Sequence, residues 1–303
     1  MSGRASGFGH AKVILLGEHA VVHGHPALAG ALEMGYRATA RRGRARLEVP
    51  AWGVAAHPGG STDLDRAFEA LLAPVDGAAV HVTVEPGVPS RAGLGSSAAM
   101  SVAVVRAIAS LLGLEPGPAE IEAWAGRAEE VFHGAGKASG VDAAVACRGG
   151  VLRFVRGEPP GAVALDAPLP VVIAHVEPRA TTAAMISRVA AAMDERPARV
   201  RDLFGRIGQL VGQAVLRVGC GDHAGLGELM NDSQRILADL GVSSAALDRA
   251  CGLSLEAGAL GAKLTGAGGG GCVIALAPGR QEQVARALEP LGTWVRATSV
   301  GSG

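Results

Sequence analysis

The sequence predicts a protein of mixed α and β structure, on three observations. Residues 79–108 read in succession as a strand, a glycine-rich loop and a helix. Several stretches of helical period fill the second half, and short apolar strands recur between them. The chain has 303 residues, enough for one large domain or two ordinary ones.

Composition narrows the function. Hydrophobic residues make up 49% and aromatics only 3%, so a sizeable core must be built mainly from Ala, Val and Leu. The 28 basic and 28 acidic residues cancel, which leaves no electrostatic case for nucleic acid or an anionic membrane as partner. Cys147, Cys220, Cys251 and Cys272 lie far apart with no Cys-x-x-Cys pair, which argues against a zinc ribbon or a disulfide framework. Free thiols in a reducing cytoplasm are expected. No apolar run reaches the length of a membrane span, and the first residues lack the apolar core of a signal peptide.

In chain order, residues 13–16 form a short buried strand that Gly17 breaks, with Lys12 before it and Glu18 and His19 just beyond. Read alone, these polar groups are a surface lysine and a salt-bridged Glu-His pair, or they flank a site. His19, His23 and His25 lack the spacing of a zinc site and have no cysteine near them. Residues 36–56 alternate and carry five arginines between Arg37 and Arg46, as a solvated strand face does. A turn at 58–61 leads into a helix over 62–72, with Leu64, Phe68, Leu71 and Leu72 on one side.

The stretch 89–99 organises the chain. Valines alternate with more polar residues over 79–85, as in a half-buried strand, and residues 98–108 are almost wholly apolar, as in a buried helix. Between them lies Pro-Ser-Arg-Ala-Gly-Leu-Gly-Ser-Ser-Ala-Ala. A helix N-terminus has unpartnered N–H groups and a positive potential, and glycines let the backbone approach an anion closely. Ser96 and Ser97 can cap the helix or face a metal ion. Together these features make a phosphate cradle. No Gly-Lys-Ser or Gly-Lys-Thr follows, so this is not a Walker A loop, and the absence of Gly-x-Ser-x-Gly argues against a hydrolase nucleophile elbow.

After a break at 116–118, a helix over 119–133 carries Ile121, Trp124, Ala128, Val131 and Phe132 as apolar contacts, and Gly134 can end it. Most helical glutamates, such as Glu122, Glu129 and Glu130 here, are solvated. Ser139-Gly140-Val141-Asp142 reads on its own as a turn with a capping aspartate. Residues 168–170, Pro-Leu-Pro, are the best linker candidate. A strand over 171–176 and helices over 182–193, 198–218, 225–240 and 244–256 follow. Gly266-x-Gly268-x-x-Gly271 fits a dinucleotide fingerprint formally, but the apolar run 272–276 after it is a strand where that fingerprint needs a helix. A helix over 281–288 and a strand over 294–298 close the chain.

Three of these stretches resemble the GHMP small-molecule kinases. Residues 89–98 match their ATP-binding pattern Pro-x3-Gly-Leu-Gly-Ser-Ser-Ala throughout. Residues 11–24 resemble the first motif in its mevalonate-kinase form, Ala-Lys-Val-Ile-Leu-Leu-Gly-Glu-His-Ala-Val-Val-His-Gly. Residues 263–272 match the third, Lys-Leu-Thr-Gly-Ala-Gly-Gly-Gly-Gly-Cys. Arg179-x-Thr181, Met230-Asn231-x2-Gln234 and Leu240-Gly241-Val242-Ser243 resemble connecting signatures of the same mevalonate-kinase branch, so the likeness runs from Lys12 to Cys272.

The resemblance implies an α+β, two-domain GHMP kinase fold. Residues 1–167 would form an ATP-binding domain like ribosomal protein S5 domain 2, and residues 168–303 a ferredoxin-like domain, with ATP and substrate in the cleft between them. It implies ATP as co-substrate, Mg2+ as cofactor and mevalonate as phosphoryl acceptor; a homodimer is one assembly it allows. The backbone of Arg91, Ala92, Gly93, Leu94, Gly95, Ser96 and Ser97 would hold the phosphates, and Ser97 and Glu129 the metal. Asp142 would take the proton of the attacking hydroxyl, with Lys12 beside it. Glu18, His19, Thr181 and Gly268 would line the acceptor site. The alternatives are another GHMP kinase, acting on phosphomevalonate or a sugar, and a non-catalytic sensor of ATP and a metabolite. A sensor would be expected to have lost a catalytic group, yet Lys12, Ser97, Glu129 and Asp142 are all present. One departure stands out. The usual connection His-Gly-x-Pro-Ser-Gly-x-Asp is here two residues longer, with Ala138 in place of proline. Asp142 is expected to keep its place, and the extra residues to bulge outward near Gly136 and Lys137.

Overall fold

The computed structural model describes residues 3–134, 140–177 and 180–301. The chain begins with β1 (Arg4–Leu16), β2 (Ala27–Arg42), β3 (Arg46–Val49), β4 (Val54–Ala56), α1 (Asp63–Leu72) and β5 (Val80–Pro86). It continues through α2 (Ser96–Leu112), α3 (Pro118–His133), α4 (Val141–Arg148), β6 (Val151–Phe154), β7 (Gly161–Val163) and β8 (Leu169–Glu177). Then come α5 (Thr182–Glu195), α6 (Pro197–Gly219), α7 (His223–Asp239), α8 (Ala245–Glu256), β9 (Gly261–Thr265), β10 (Gly271–Leu276), α9 (Gln281–Leu288) and β11 (Trp294–Val300). Two compact units result, and they interleave along the chain. One takes residues 1–12, 34–90 and 95–149, the other 13–33, 91–94 and 150–303.

In the first unit the second half of β2 pairs antiparallel with β5, β5 parallel with β3, and β3 antiparallel with β4. The alternation read in β5 is real: Val80, Val82 and Val84 are fully buried, whereas His81 and Thr83 are half-exposed. All five arginines from Arg37 to Arg46 are exposed, as a solvated strand face requires. Helix α1 starts with a reciprocal capping box between Thr62 and Asp65, which satisfies two backbone donors at once. The Trp124 indole of α3 donates to the Leu71 carbonyl of α1 at 2.7 Å.

Helix α2 is the centre of this unit and is buried along most of its length. It lies on β1 at backbone contact distance. A Cβ on Gly9 would sit 2.1 Å from the Ala99 carbonyl oxygen, and one on Gly7 would sit 2.2 Å from that of Ala103. The two repeats are commensurate: two strand residues span about 6.6 Å and four helix residues about 6.0 Å. Steps of two along β1 therefore meet steps of four along α2. Arg106 locks the arrangement, donating to the carbonyls of Phe8 at 2.7 Å and Cys147 at 2.6 Å.

In the second unit β8 pairs antiparallel with β10 and β11, and β10 with β9. The first half of β2 joins β11 through Val300 and Leu32, and also carries β6. The core lies between this sheet and the helices. It includes Val172 and Ala174 of β8, Val273 of β10, Phe204 and Ile207 of α6, Ile236 and Leu237 of α7, and Val284 and Leu288 of α9. Strand β9 ends its sheet, and an exposed edge leaves backbone groups unpaired. Side-chain amides of α7 take the place of the missing strand. Asn231 Oδ1 accepts from the Ala262 N–H and Gln234 Oε1 from the Leu264 N–H, both at 2.9 Å.

Three expectations about local structure are corrected. The short strand at 13–16 is the end of the thirteen-residue β1. Pro168–Pro170 is no linker: Leu169 and Pro170 open β8 and pair with Val300 and Ser299, a position where a strand tolerates proline. Asp142 sits in a helix, α4, rather than in a turn.

The contact between β1 and α2 sets a stability test. Gly9→Val should lower the unfolding free energy by about 1–3 kcal/mol or more, because the new atoms meet helix backbone that cannot yield. Gly126→Ala, in α3 with open space around it, should raise it by about 0.5–1 kcal/mol. Urea midpoints for the two variants read both effects; equal midpoints would show that β1 and α2 are not in close contact.

Candidate active site

The glycine loop is shaped for an anion. Arg91, Gly93 and Gly95 have φ of 58°, 88° and 70°, alternating with residues of negative φ. Such alternation turns successive N–H groups towards one point. Gly95, not a serine, is the N-cap of α2, and no side chain caps the helix. The hydroxyl of Ser96 instead donates to the Pro89 carbonyl at 3.3 Å, across the neck of the loop. The serine cap allowed by the sequence is therefore not formed, and the first N–H groups of α2 are left for a ligand.

Beside the start of α2 lie Lys12 and Asp142. Strand β1 carries Lys12 into the interior, where its ammonium sits 3.1 Å from Asp142 Oδ1. The lysine side chain is 5% exposed and the aspartate 34%, so Asp142 is the member of the pair that a ligand can reach. Asp142 is held in the first turn of α4, which begins after Gly140 at φ 82°. A Cβ on Gly95 would come within 2.9 Å of Lys12 Cγ and 3.6 Å of Asp142 Oδ2. The absence of a side chain at Gly95 thus lets the start of α2 abut the ion pair.

A second cluster lies at the first turn of α2. Ser97 Oγ donates to Glu129 Oε2 at 3.1 Å, and His133 Nε2 stands 3.5 Å from the same carboxylate oxygen. Glu129 is 5% exposed, unlike the exposed Glu130 beside it. Its Oε1 is buried without a hydrogen-bond partner among the described residues. An orphaned buried carboxylate oxygen is costly unless something positive meets it. The donor set of hydroxyl and carboxylate suits a hard cation such as Mg2+, which takes its remaining ligands from phosphate and water. No cluster of three or more His, Cys, Asp or Glu able to hold a metal occurs among the described residues, so a zinc-type cage is not available there.

The second unit holds another polar group. Gly17, at φ 110°, would place a Cβ 2.4 Å from Ala27 Cα. The Glu18 carboxylate, 1% exposed, pairs with the Lys263 ammonium of β9. His19 has φ 60°, and its Nε2 donates to the Ala267 carbonyl at 2.9 Å. Burial pushes the His19 imidazole below its ordinary pKa, and the Ala267 bond only partly opposes this. Thr265 Oγ1 accepts from the Ile14 N–H at 2.9 Å. The glycine turn after β9 is seated on Val242, whose carbonyl accepts from the Gly269 N–H at 2.8 Å. A Cβ on Gly268 would lie 2.1 Å from that same carbonyl oxygen. Gly269 in turn accepts from the Ala180 N–H at 2.8 Å. Thr181 Oγ1 accepts from the Ala184 N–H and caps α5.

Lys12, Gly95, Ser97, Glu129 and Asp142 are thus gathered in one unit, and Glu18, His19 and Gly268 in the other, with Thr181 next to Ala180, which bonds Gly269. Arg179 and the lengthened connection, with Gly136, Lys137 and Ala138, lie outside the described residues. Sequence reasoning missed Lys263 as the partner of Glu18. The signal was there: a lysine inside an otherwise apolar strand needs a counter-charge. Val242, Asn231 and Gln234 were visible only as a pattern without a role.

A glycine loop at a helix start, a Lys–Asp pair with an accessible carboxylate and a hydroxyl–carboxylate cluster are parts that a small-molecule phosphotransferase can use. The family described as GHMP kinases N terminal domain matches residues 64–150, and that described as GHMP kinases C terminal matches residues 199–291. The chain belongs to the GHMP kinase family. Within it, a mevalonate kinase of Pyrococcus horikoshii is 35% identical over 93% of this chain and 91% of its own length. Another, of Methanothermobacter thermautotrophicus, is 36% identical over 94% of each. The crystal structure of L. major mevalonate kinase in complex with R-mevalonate superposes with a TM-score of 0.86 at 26% identity, covering 98% of this chain and 96% of that one.

The buried His19 carries a pH signature. Its unfolded pKa is near the ordinary 6.5 and its folded pKa lower, so below pH 6.5 the unfolded chain binds the extra proton. Stability should therefore fall as pH drops from about 7 through 6 towards the folded pKa. His19→Asn, a residue that tolerates positive φ, should flatten that slope. A residual slope should remain from His23 and His175, which burial also lowers. Urea midpoints between pH 7.5 and 5 measure it; equal slopes in wild type and variant would refute the assignment to His19.

Proposed function

We propose that this chain transfers the γ-phosphoryl group of ATP to mevalonate, giving 5-phosphomevalonate and ADP. The reading rests chiefly on the Lys12–Asp142 pair set against Gly95 at the start of α2. It is supported by the likeness to mevalonate kinases along nearly the whole chain. Phosphoryl transfer asks for positioning and charge neutralisation more than covalent help.

The backbone of Arg91, Ala92, Gly93, Leu94, Gly95, Ser96 and Ser97 holds the ATP phosphates through its N–H groups and the positive end of α2. Ser97 and Glu129 hold Mg2+, and the unpartnered Glu129 Oε1 supports that role. When bound, Mg2+ neutralises charge on the β- and γ-phosphates. Asp142, the accessible member of its pair, accepts the proton of the acceptor hydroxyl. In a loose transition state that proton leaves late, so a modest base suffices. Lys12 offsets negative charge on the attacking oxygen. Glu18, His19, Thr181 and Gly268 shape the acceptor site. We take residues 1–167 and 168–303 as the two domains of the family along the sequence, with one family match on each side of that boundary; the compact units differ from it in counting residues 13–33, 91–94 and 150–167 with the second. Four free cysteines support a reducing, cytoplasmic setting. No helix among the described residues is long and apolar enough to cross a membrane.

ADP release with ATP and Mg2+ should be well above background on mevalonate and far lower on galactose or homoserine. Equal or greater turnover of phosphomevalonate would overturn the acceptor assignment. Asp142→Asn keeps an oxygen for Lys12 but loses the base, and should lower kcat by about 10²- to 10⁴-fold with ATP binding little changed. A kcat within about threefold of wild type would remove Asp142 from the base role. Glu129→Gln and Ser97→Ala should each raise the Mg2+ needed for half-maximal rate, and an unchanged titration in both would refute the metal assignment.

A further inference from the structure

We infer that Lys263 is a positioning residue for the phosphoryl acceptor, holding the 17–19 turn in place through Glu18. The inference rests on the reading of Glu18 and His19 as part of the acceptor site. Lys263 is completely buried and belongs to the unit that does not contain Lys12 and Asp142. Its ammonium meets the Glu18 carboxylate, the Leu264 carbonyl at 2.6 Å and the Ile14 carbonyl at 3.5 Å. A lysine ammonium has three donors, and here there are three oxygens to take them. Lys263 therefore does not serve as a nucleophile or a base.

Stability does not explain the pair. Burying two charges costs desolvation that their attraction barely offsets, and an apolar pair of similar volume does as well or better. What the pair supplies is a fixed position, and the segment it fixes needs one. Gly17 is pressed on Ala27 at positive φ, and His19 is a non-glycine residue at φ 60°. Backbone of that kind persists only where its surroundings hold it. Three bonds do so here: Lys263 to Glu18, Ala267 to His19 and Thr265 to Ile14. All three start from β9 or the glycine turn that follows it, so the third motif is a template for the first. Of the three, only the Lys263 bond holds the turn by an ion pair.

Two variants test this. Lys263→Gln keeps an amide donor for Glu18 and leaves Glu18 itself native. Lys263→Met removes every donor and again leaves Glu18 native. Each should raise the KM for mevalonate by about tenfold or more, with kcat and the KM for ATP within about threefold, the pattern of lost acceptor binding. A merely structural role would lower the active fraction, hence apparent kcat, and leave KM alone. The free enzymes supply a second readout that needs no substrate. The 15N-histidine spectrum of the wild type should show His19 with a protected Nε2–H, and both variants should lose that protection. Retained protection, or an acceptor KM within about threefold of wild type, would overturn the inference. A wild-type enzyme that does not turn over mevalonate would refute the proposed reaction instead, and the histidine spectra would still decide the role of Lys263.

Discussion

The close approach of α2 to β1 is the constraint on which the candidate site depends. Gly7, Gly9 and Lys12 of the strand meet Ala103, Ala99 and Gly95 of the helix and its cap, each step along the helix being four residues. With a side chain at Gly7 or Gly9 the helix would have to lift away, and the interdigitation of a close-packed interior leaves no slack to absorb that. The start of α2 would then leave Lys12 and its ion pair. Arg106 reinforces the same contact from the far side by joining β1, α2 and α4, so that Asp142 at the head of α4 is carried with it.

The buried charges among the described residues differ in their surroundings, and one of them, Asp65, only closes the capping box of α1. Lys12 is buried against a half-exposed aspartate, an asymmetric pair with one face open to a ligand. Glu129 keeps one oxygen on Ser97 and leaves the other without a partner among the described residues. Glu18 and Lys263 are both closed off from solvent. Accessible polarity can gain binding energy from a ligand, whereas a pair sealed from solvent can act only within the fold.

The third glycine motif shows how a loop without side chains is kept in shape. Gly266 and Gly268–Gly271 all have positive φ, a run that only glycine adopts without strain. Such a loop has little intrinsic preference and must be held by its neighbours. Val242 and Ala180 hold it by backbone hydrogen bonds. Gln234 holds the Val242 segment through Ser243 and Asp248, at 2.9 and 2.8 Å, while its other end closes the edge of β9. One amide side chain thus serves both the sheet edge and the loop.

From the sequence alone, the helices α1, α3 and α5–α9, the valine alternation of β5 and the glycine loop were legible, because period and punctuation are local properties. So were Lys12, Ser97, Glu129 and Asp142 as candidates, although Glu129 and Asp142 stood out only through resemblance. The first half of β2, Ala-Leu-Ala-Gly-Ala-Leu-Glu-Met, was not legible. Its residues are helix formers by propensity, and its pairing with β6 and β11 overrides them. Helix α4 was hidden too, because eight residues after a glycine turn form a stable helix only when packed. Which glutamate is buried, which lysine meets which carboxylate, and whether a serine caps a helix or faces another side chain were decided by tertiary structure. Those pairings join residues as far apart as Glu18 and Lys263. Burial and counter-charge are properties of three-dimensional neighbours, and sequence spacing carries no record of them at that distance.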